Sequence, residues 1–144
     1  MADEISTLND LIETLKDGQN GFRTAADDVK DASIKATFSQ FAQERAQMVA
    51  ELQGHVRTHA EKPATTGSVA AAAHRGWMNL KSALGGGEKA ILDEAERGED
   101  VAVQAFEEAL KEPMDPDASR IVRKQYGQVK QAHDRVKSLR DSWK

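Results

Sequence analysis

Four polar residues lie on or beside the apolar faces of the four long helices that the sequence predicts. They are Gln19, Glu44, Glu99 and His133. The first two helices are predicted to form one hairpin and the last two another. Counted from the turn of each hairpin at about 1.5 Å per residue, its two polar residues differ in depth by roughly one helical turn, so all four lie near the middle of the bundle. A buried carboxylate is costly unless it is paired, hydrogen-bonded or bound to a metal. A shared layer of such groups therefore needs a physical explanation.

Metal coordination is one explanation for this layer. Oxygen and imidazole ligands without sulfur suit iron, manganese or zinc, and Glu96 adds a carboxylate three residues before Glu99 on the same side of its helix. The other explanation is a structural network in which Glu, Gln and His pair with Arg or Lys and fix the register of the bundle. We take the network as the leading interpretation. The alternative is a metal site formed by Glu44, Glu96, Glu99 and His133.

A second candidate metal site lies along one side of the second helix, where Glu51, His55 and His59 are spaced four residues apart. This spacing places three side chains on one face, where they could hold a metal ion. Two histidines near a helix C-terminus are explained more simply by the helix dipole, which favours positive charge there. We therefore expect both histidines to be surface residues.

A candidate interface lies in residues 74–81, where a large aromatic residue has cationic neighbours. The residues assigned to this candidate interface are His74, Arg75, Trp77 and Lys81. The alternative is that Trp77 packs against the bundle, because an amphipathic segment must bury its apolar face.

Apolar residues recur at intervals of three and four in four long segments, which is the spacing of an amphipathic helix. Asp31 is the predicted N-cap of the second helix, which continues to about His59. The third long helix is predicted from about Glu88 to Glu112. The fourth begins after Asp115, with Pro116 at the first helical position, where the missing N–H costs nothing.

The connection between the second and third long helices runs from about residue 60 to residue 88 and includes a shorter amphipathic helix predicted from about Ser68 to Leu84. It is long enough to travel the length of a bundle, whereas the turns within the two hairpins are short. One such long crossover is the ferritin-like arrangement. We predict an all-α, ferritin-like four-helix bundle with a long helical crossover, formed as a single domain over residues 1–144.

Composition narrows the class of function. The chain has 144 residues, no cysteine and a net charge of −4, which excludes disulfides, thiolate metal sites and cysteine nucleophiles. An acidic chain is a poor match for nucleic acid, and the basic residues of the fourth helix are interpreted as a solvated face. No segment approaches the roughly 18 apolar residues of a membrane span, and the N-terminus does not read as a signal sequence. We predict a cytoplasmic protein without membrane association.

Several short motifs resemble those of a known family over about Leu8 to Asp141. They are Gly21-Phe22-Arg23, residues 74–81, Glu96-Arg97-Gly98-Glu99-Asp100 and His133-Asp134-Arg135. On these residues the chain resembles a bacterial ferritin-like four-helix-bundle family of unassigned function. The resemblance implies a ferritin-like fold, self-association and an association with stress responses, and it implies no known reaction.

The ligand pattern departs from that of di-iron proteins, which place a Glu on each of two helices and a Glu-x-x-His motif on each of the other two. Glu44 is followed three residues later by Gln47, and Lys130 precedes His133 by three. Both motifs are therefore broken. We predict a non-enzymatic homodimer with an interaction or stress-protection role, a degenerate metal site and no cofactor. The alternative is an iron- or manganese-binding protein that uses the partial mid-bundle site.

Overall fold

The computed structural model describes residues 2–58, 77 and 79–143 of the chain. Within these ranges the helices are α1 (Ala2–Asp28), α2 (Ala32–Arg57), α3 (Leu80–Ala83), α4 (Glu88–Ala109) and α5 (Pro116–Ser142). The described residues contain no strand, and the predicted all-α bundle is confirmed. Within these ranges, no helix combines the length and the apolar content that a membrane span requires.

The four long helices pack with every neighbouring pair antiparallel. Helix α1 contacts α2 and α4, while α5 contacts α4 and α2. At one end of the bundle, the carboxylate of Glu88 accepts hydrogen bonds from the backbone N–H groups of Lys30 (2.8 Å) and Asp31 (3.0 Å). At the other end, Glu4 accepts a hydrogen bond from the backbone N–H of Asp115 at 2.6 Å. The start of α4 therefore lies beside the end of α1.

The connection from α2 to α4 spans the bundle, as the sequence predicts. Near the end of α2, His55 lies 3.6 Å from Asp115, whereas α4 begins at the opposite end, beside Lys30. Because α2 has 26 residues, the chain returns over roughly 39 Å at about 1.5 Å per residue.

The N-terminal caps of α2 and α5 are the predicted ones. Asp31 accepts a hydrogen bond from the N–H of Ile34 at 3.0 Å, and Asp115 accepts one from the N–H of Ala118 at 2.8 Å. Each carboxylate satisfies a backbone donor that has no partner within the helix. Helix α4 ends at Ala109, three residues before the predicted end.

The predicted helix over residues 68–84 is wrong at Trp77 and Asn79, which are not helical, whereas Leu80–Ala83 near its C-terminal end forms α3. The backbone N–H of Asn79 donates to Glu94 on α4 at 2.8 Å. The Trp77 side chain lies over Gly21, where an added Cβ would come within 2.3 Å of the indole ring. These tertiary contacts override the local helical pattern. Residues 59–76 lie outside the described part of the chain.

The apolar core forms two clusters, one toward each end of the bundle. The larger includes Leu8, Ile12, Leu15, Leu52, Val56, Phe106, Val122 and Val129. The second includes Phe22, Phe38, Trp77, Ile91, Leu92 and Val136. A charged pair from α2 and α4 lies at mid-bundle between them, and the candidate site is built outward from this pair.

Candidate functional site

The centre of the bundle holds an ion pair between Arg45 of α2 and Glu99 of α4. The two residues are 1% and 0% exposed. Arg45 Nη1 donates to Glu99 Oε2 at 2.9 Å, and Arg45 Nη2 donates to Glu99 Oε1. This two-pronged geometry is the strong form of an Arg–carboxylate bond, and it compensates a carboxylate that burial would otherwise penalise.

Helix α1 provides the space for the guanidinium. A Cβ at Gly18 would lie 2.7 Å from Arg45 Nη1, so the absence of a side chain there gives the arginine room. One turn further along α1, the ring of Phe22 lies 5.3 Å from Arg45 Cζ. A cation at this distance from an aromatic face is attracted by the ring quadrupole. Three helices thus enclose the buried charge pair.

The structure does not bring the four predicted mid-bundle residues together. Both carboxylate oxygens of Glu99 bind Arg45. Glu44 accepts a hydrogen bond from Gln40 on the same helix at 3.1 Å, in an exposed position. Gln19 lines a shallow groove between α1 and α2. A guanidinium at the centre repels a divalent cation, so these residues do not fit a central metal pair.

Two of the other predicted ligands do meet, away from the centre. Glu96 and Asp100 are one turn apart on α4, and His133 faces them from α5. One ligand atom from each of these three residues lies within 4.8 Å of the other two. We call this group the α4–α5 cluster. It contains Glu96 and His133 from the predicted metal set, with Asp100 in place of Glu44 and Glu99.

Hydrogen bonds orient each member of the α4–α5 cluster. His133 Nε2 lies 2.5 Å from Asp100 Oδ1, and His133 Nδ1 lies 3.1 Å from Asp134 Oδ1. Glu96 Oε2 accepts a hydrogen bond from Arg140 Nη1 at 3.0 Å. The side chain of His133 is 13% exposed, so the imidazole is largely shielded from solvent between two carboxylates.

The carboxylates around His133 stabilise its protonated form. Burial opposes protonation, but hydrogen bonds to Asp134 and Asp100 and the charges of both groups outweigh it, so the pKa of His133 is raised. The hydrogen bond from His133 also lowers the pKa of Asp134. When protonated, the imidazole supplies positive charge to the cluster, in a position where another cation could replace its proton.

A second group of ligand atoms joins three separate elements. Glu4 of α1, His55 of α2 and Asp115, the N-cap of α5, each place one ligand atom within 4.8 Å of the other two. Glu4 is 6% exposed. We call this group the α1–α2–α5 cluster. Sequence reasoning named His55 as a candidate ligand and Asp115 only at the start of the fourth helix, and it did not single out Glu4.

The proposed line of Glu51, His55 and His59 is not one site in the described residues. Glu51 accepts hydrogen bonds from Lys124 (2.6 Å) and Gln125 (2.9 Å) of α5. Burial would raise the pKa of Glu51, but these bonds outweigh it and the pKa is lowered. The prediction that His55 is a surface residue is wrong, because its side chain is 11% exposed and faces Asp115. His59 lies outside the described residues.

The candidate interface is described at two of its four residues. Trp77 is 7% exposed, and its ring centroid lies 5.0 Å from that of Phe22, as the packing alternative predicts. Lys81 is exposed on α3. His74 and Arg75 lie outside the described residues.

Sequence reasoning missed Arg45, although a signal for it was present. Arg45 lies three residues after Ala42 and three before Met48, both of which are buried, so a charged residue occupies an apolar line of α2. Asp100 was missed for a different reason. Counting residues from a turn gives the depth of a residue along the bundle but not the direction of its side chain. Neighbouring residues of a helix point about 100° apart, so Asp100 faces α5 whereas Glu99 faces the centre.

The fold and site define an all-α bundle with a charged pair at its centre and Glu/Asp/His clusters on its flanks. Residues 3–112 match the family described as Domain of unknown function (DUF2383), and the chain belongs to that family. The matched region contains α1 to α4, and therefore both members of the central ion pair. No curated protein matches the chain.

Proposed function

We propose that the chain is a non-enzymatic, ferritin-like bundle that binds a divalent transition metal at the α4–α5 cluster and not at its centre. The observation that carries this proposal is the convergence of Glu96, Asp100 and His133 ligand atoms within 4.8 Å. One imidazole and two carboxylates suit manganese, iron or zinc. The proposed metal site therefore lies further from the bundle centre than the metal site predicted from the sequence, and Asp100 replaces Glu44 and Glu99 as a ligand.

The central ion pair supports a non-enzymatic role for the middle of the bundle. Di-iron bundle proteins use inward-facing glutamates and histidines to hold two metals between the helices. Here both carboxylate oxygens of Glu99 accept hydrogen bonds from Arg45. The pair would have to separate before Glu99 could bind a metal, and both charges would then lose their buried partner.

The residues of the α4–α5 cluster would each have a defined task. His133 would offer Nε2 after losing its proton, while Asp134 holds the other ring nitrogen at 3.1 Å. A carboxylate on the second nitrogen fixes the tautomer and orientation of a metal-binding histidine. Glu96 would exchange its contact with Arg140 for the metal, and Asp100 would exchange its contact with His133.

Site-resolved binding of Mn(II) tests the proposal. Mn(II) added to the ¹⁵N-labelled chain should broaden the ring signals of His133 through paramagnetic relaxation. In Asp100→Asn, the same broadening should require at least about ten times more Mn(II), because the substitution removes a ligand charge. The control is Asp93→Asn, which makes the same charge change on α4 at an exposed residue paired with Lys89.

The outcome that contradicts the proposal is unchanged His133 broadening in Asp100→Asn, or no broadening in the wild-type chain. The non-enzymatic interpretation of the bundle centre is tested separately. In the presence of the chain, Fe(II) should be oxidised no faster than in the same buffer without the chain. A rate that rises with protein concentration and falls in Glu99→Gln would overturn the non-enzymatic assignment.

The homodimer and the stress-protection role are further parts of the proposal and rest on the family resemblance. The cytoplasmic location is also proposed, because a chain without cysteine suits a reducing compartment. Self-association would let one face of the bundle act as an interaction surface. Sedimentation equilibrium of the full chain measures the first of these directly. A monomer at every accessible concentration would remove the dimer from the proposal.

A further inference from the structure

We infer that the α1–α2–α5 cluster is a second binding site for a divalent transition metal, formed by Glu4, His55 and Asp115. None of these residues belongs to the α4–α5 cluster. Asp115 and His133 are separated by 18 positions of sequence, so the two sites lie roughly 27 Å apart along α5 at about 1.5 Å per residue. The second site therefore stands or falls independently of the first.

The fold itself assembles the three ligands. Glu4 comes from the first turns of α1, His55 from the last turn of α2 and Asp115 from the turn before α5. They are far apart in sequence and meet only because the antiparallel packing brings these three helix ends together. One ligand atom from each residue lies within 4.8 Å of the others.

Backbone donors hold the two carboxylates in place. Glu4 Oε1 accepts from the N–H of Asp115 at 2.6 Å, and Asp115 Oδ1 accepts from the N–H of Ala118 at 2.8 Å. Each carboxylate is therefore anchored through one oxygen to the start of α5. The second oxygen of Asp115 lies 3.6 Å from His55 Nε2. Carboxylates anchored in this way are pre-oriented as ligands.

The local charge favours a cation. Two carboxylates lie close together, and Glu4 is only 6% exposed, so water screens their repulsion weakly. The N-terminus of α5 offsets part of this charge. A divalent ion beside His55 Nε2 would compensate both carboxylates at once. Two oxygens and one imidazole nitrogen suit manganese, iron, cobalt or zinc, with water completing the coordination.

Cobalt titration of a chain that lacks the first site tests this inference. Asp100→Asn with His133→Ala removes two ligands of the α4–α5 cluster. This variant should still bind one Co(II) per chain, seen as a visible absorption band, and its melting temperature should rise with Co(II), because the metal binds the folded state.

Glu4→Gln, added to that variant, should weaken Co(II) binding by at least about tenfold. The amide oxygen of Gln still accepts from the N–H of Asp115, so the contact with α5 is kept while the ligand charge is lost. His55→Gln should have the same effect and serves as a second variant if the first folds poorly. The matched control is Asp117→Asn, an exposed residue of the same charge that pairs with Arg120.

Three outcomes decide the inference. Loss of Co(II) binding in Glu4→Gln and His55→Gln, with binding kept in Asp117→Asn, supports it. Absence of Co(II) binding in the Asp100→Asn, His133→Ala chain overturns it and leaves the first site standing. Equal binding by Glu4→Gln and Asp117→Asn also overturns it. If the wild-type chain binds a single Co(II) and Glu4→Gln abolishes that binding, the proposed function fails while the second site holds.

Discussion

Single residues decide how the buried charge at mid-bundle is tolerated. Arg45 and Glu99 are both almost fully buried, and each is acceptable there only because of the other. Gly18 and Phe22 then fit the guanidinium sterically and electrostatically. The pair is consequently a strong constraint on which side chains can occupy the middle of the bundle, and a modest contributor to net stability.

Removing one partner of this pair should cost far more than removing both. Arg45→Met alone leaves Glu99 as an uncompensated buried charge, with an expected loss of about 3–5 kcal/mol in the free energy of unfolding. The double variant Arg45→Met, Glu99→Leu replaces the pair by apolar groups of similar size and should recover most of this loss. Urea denaturation of the single and double variants measures the difference. Equal destabilisation of both variants would contradict a compensated pair.

The stability that His133 contributes should depend on pH. Its pKa is raised in the folded chain, by hydrogen bonds to Asp134 and Asp100 that outweigh burial. The stabilisation is thus fully present below the pKa of an unfolded histidine and is lost as pH rises through the raised pKa. In metal-free buffer, His133→Gln should be less stable than the wild-type chain at about pH 5, and the gap should narrow as the pH rises through the raised pKa of His133. A stability gap that stays constant as the pH rises would show that the imidazolium contacts do not contribute.

At the scale of elements, close approach between helices depends on residues without side chains. Gly21 on α1 lies against the Trp77 ring, and a Cβ there would approach three ring atoms to within 2.7 Å. Gly127 on α5 is exposed and has no neighbour within 4 Å of the position of an added Cβ. Glycine thus allows close packing in α1, whereas in α5 it only adds backbone freedom.

Alanine substitution at these two glycines should have opposite effects on stability. Gly127→Ala should stabilise the chain by about 0.5–1 kcal/mol, because alanine has the higher helix propensity. Gly21→Ala gains the same propensity but displaces the indole of Trp77, so we expect net destabilisation of about 1–3 kcal/mol. Thermal unfolding followed by circular dichroism compares the two directly. Stabilisation by both substitutions would mean that Trp77 does not depend on the space above Gly21.

At the scale of the whole molecule, the sequence predicts the helices better than their contacts. The three-four recurrence of apolar residues defines all four long helices, and Asp31 and Asp115 mark the starts of two of them, because these signals are local. The pairing of Arg45 with Glu99 joins two helices, and it depends on how each is rotated about its axis. A depth count carries no such information, so it selected Glu99 and passed over Asp100.

The same reason explains the α1–α2–α5 cluster. Its members come from three helix ends that meet only in the folded chain. The two N-caps were predictable because a capping carboxylate and its backbone partner lie three residues apart. That Asp115 also receives Glu4 and His55 follows from the packing of the bundle, which no local pattern encodes.

The family match ends before α5 begins, and this separates the central pair from the two peripheral clusters. The matched region ends at residue 112, so it holds the central ion pair complete, while each peripheral cluster takes a ligand from beyond it, at Asp115 or His133. A chain cut back to residue 112 would keep both members of the charged pair and lose a residue from each cluster. The family match thus covers the central pair in full and the two peripheral clusters only in part.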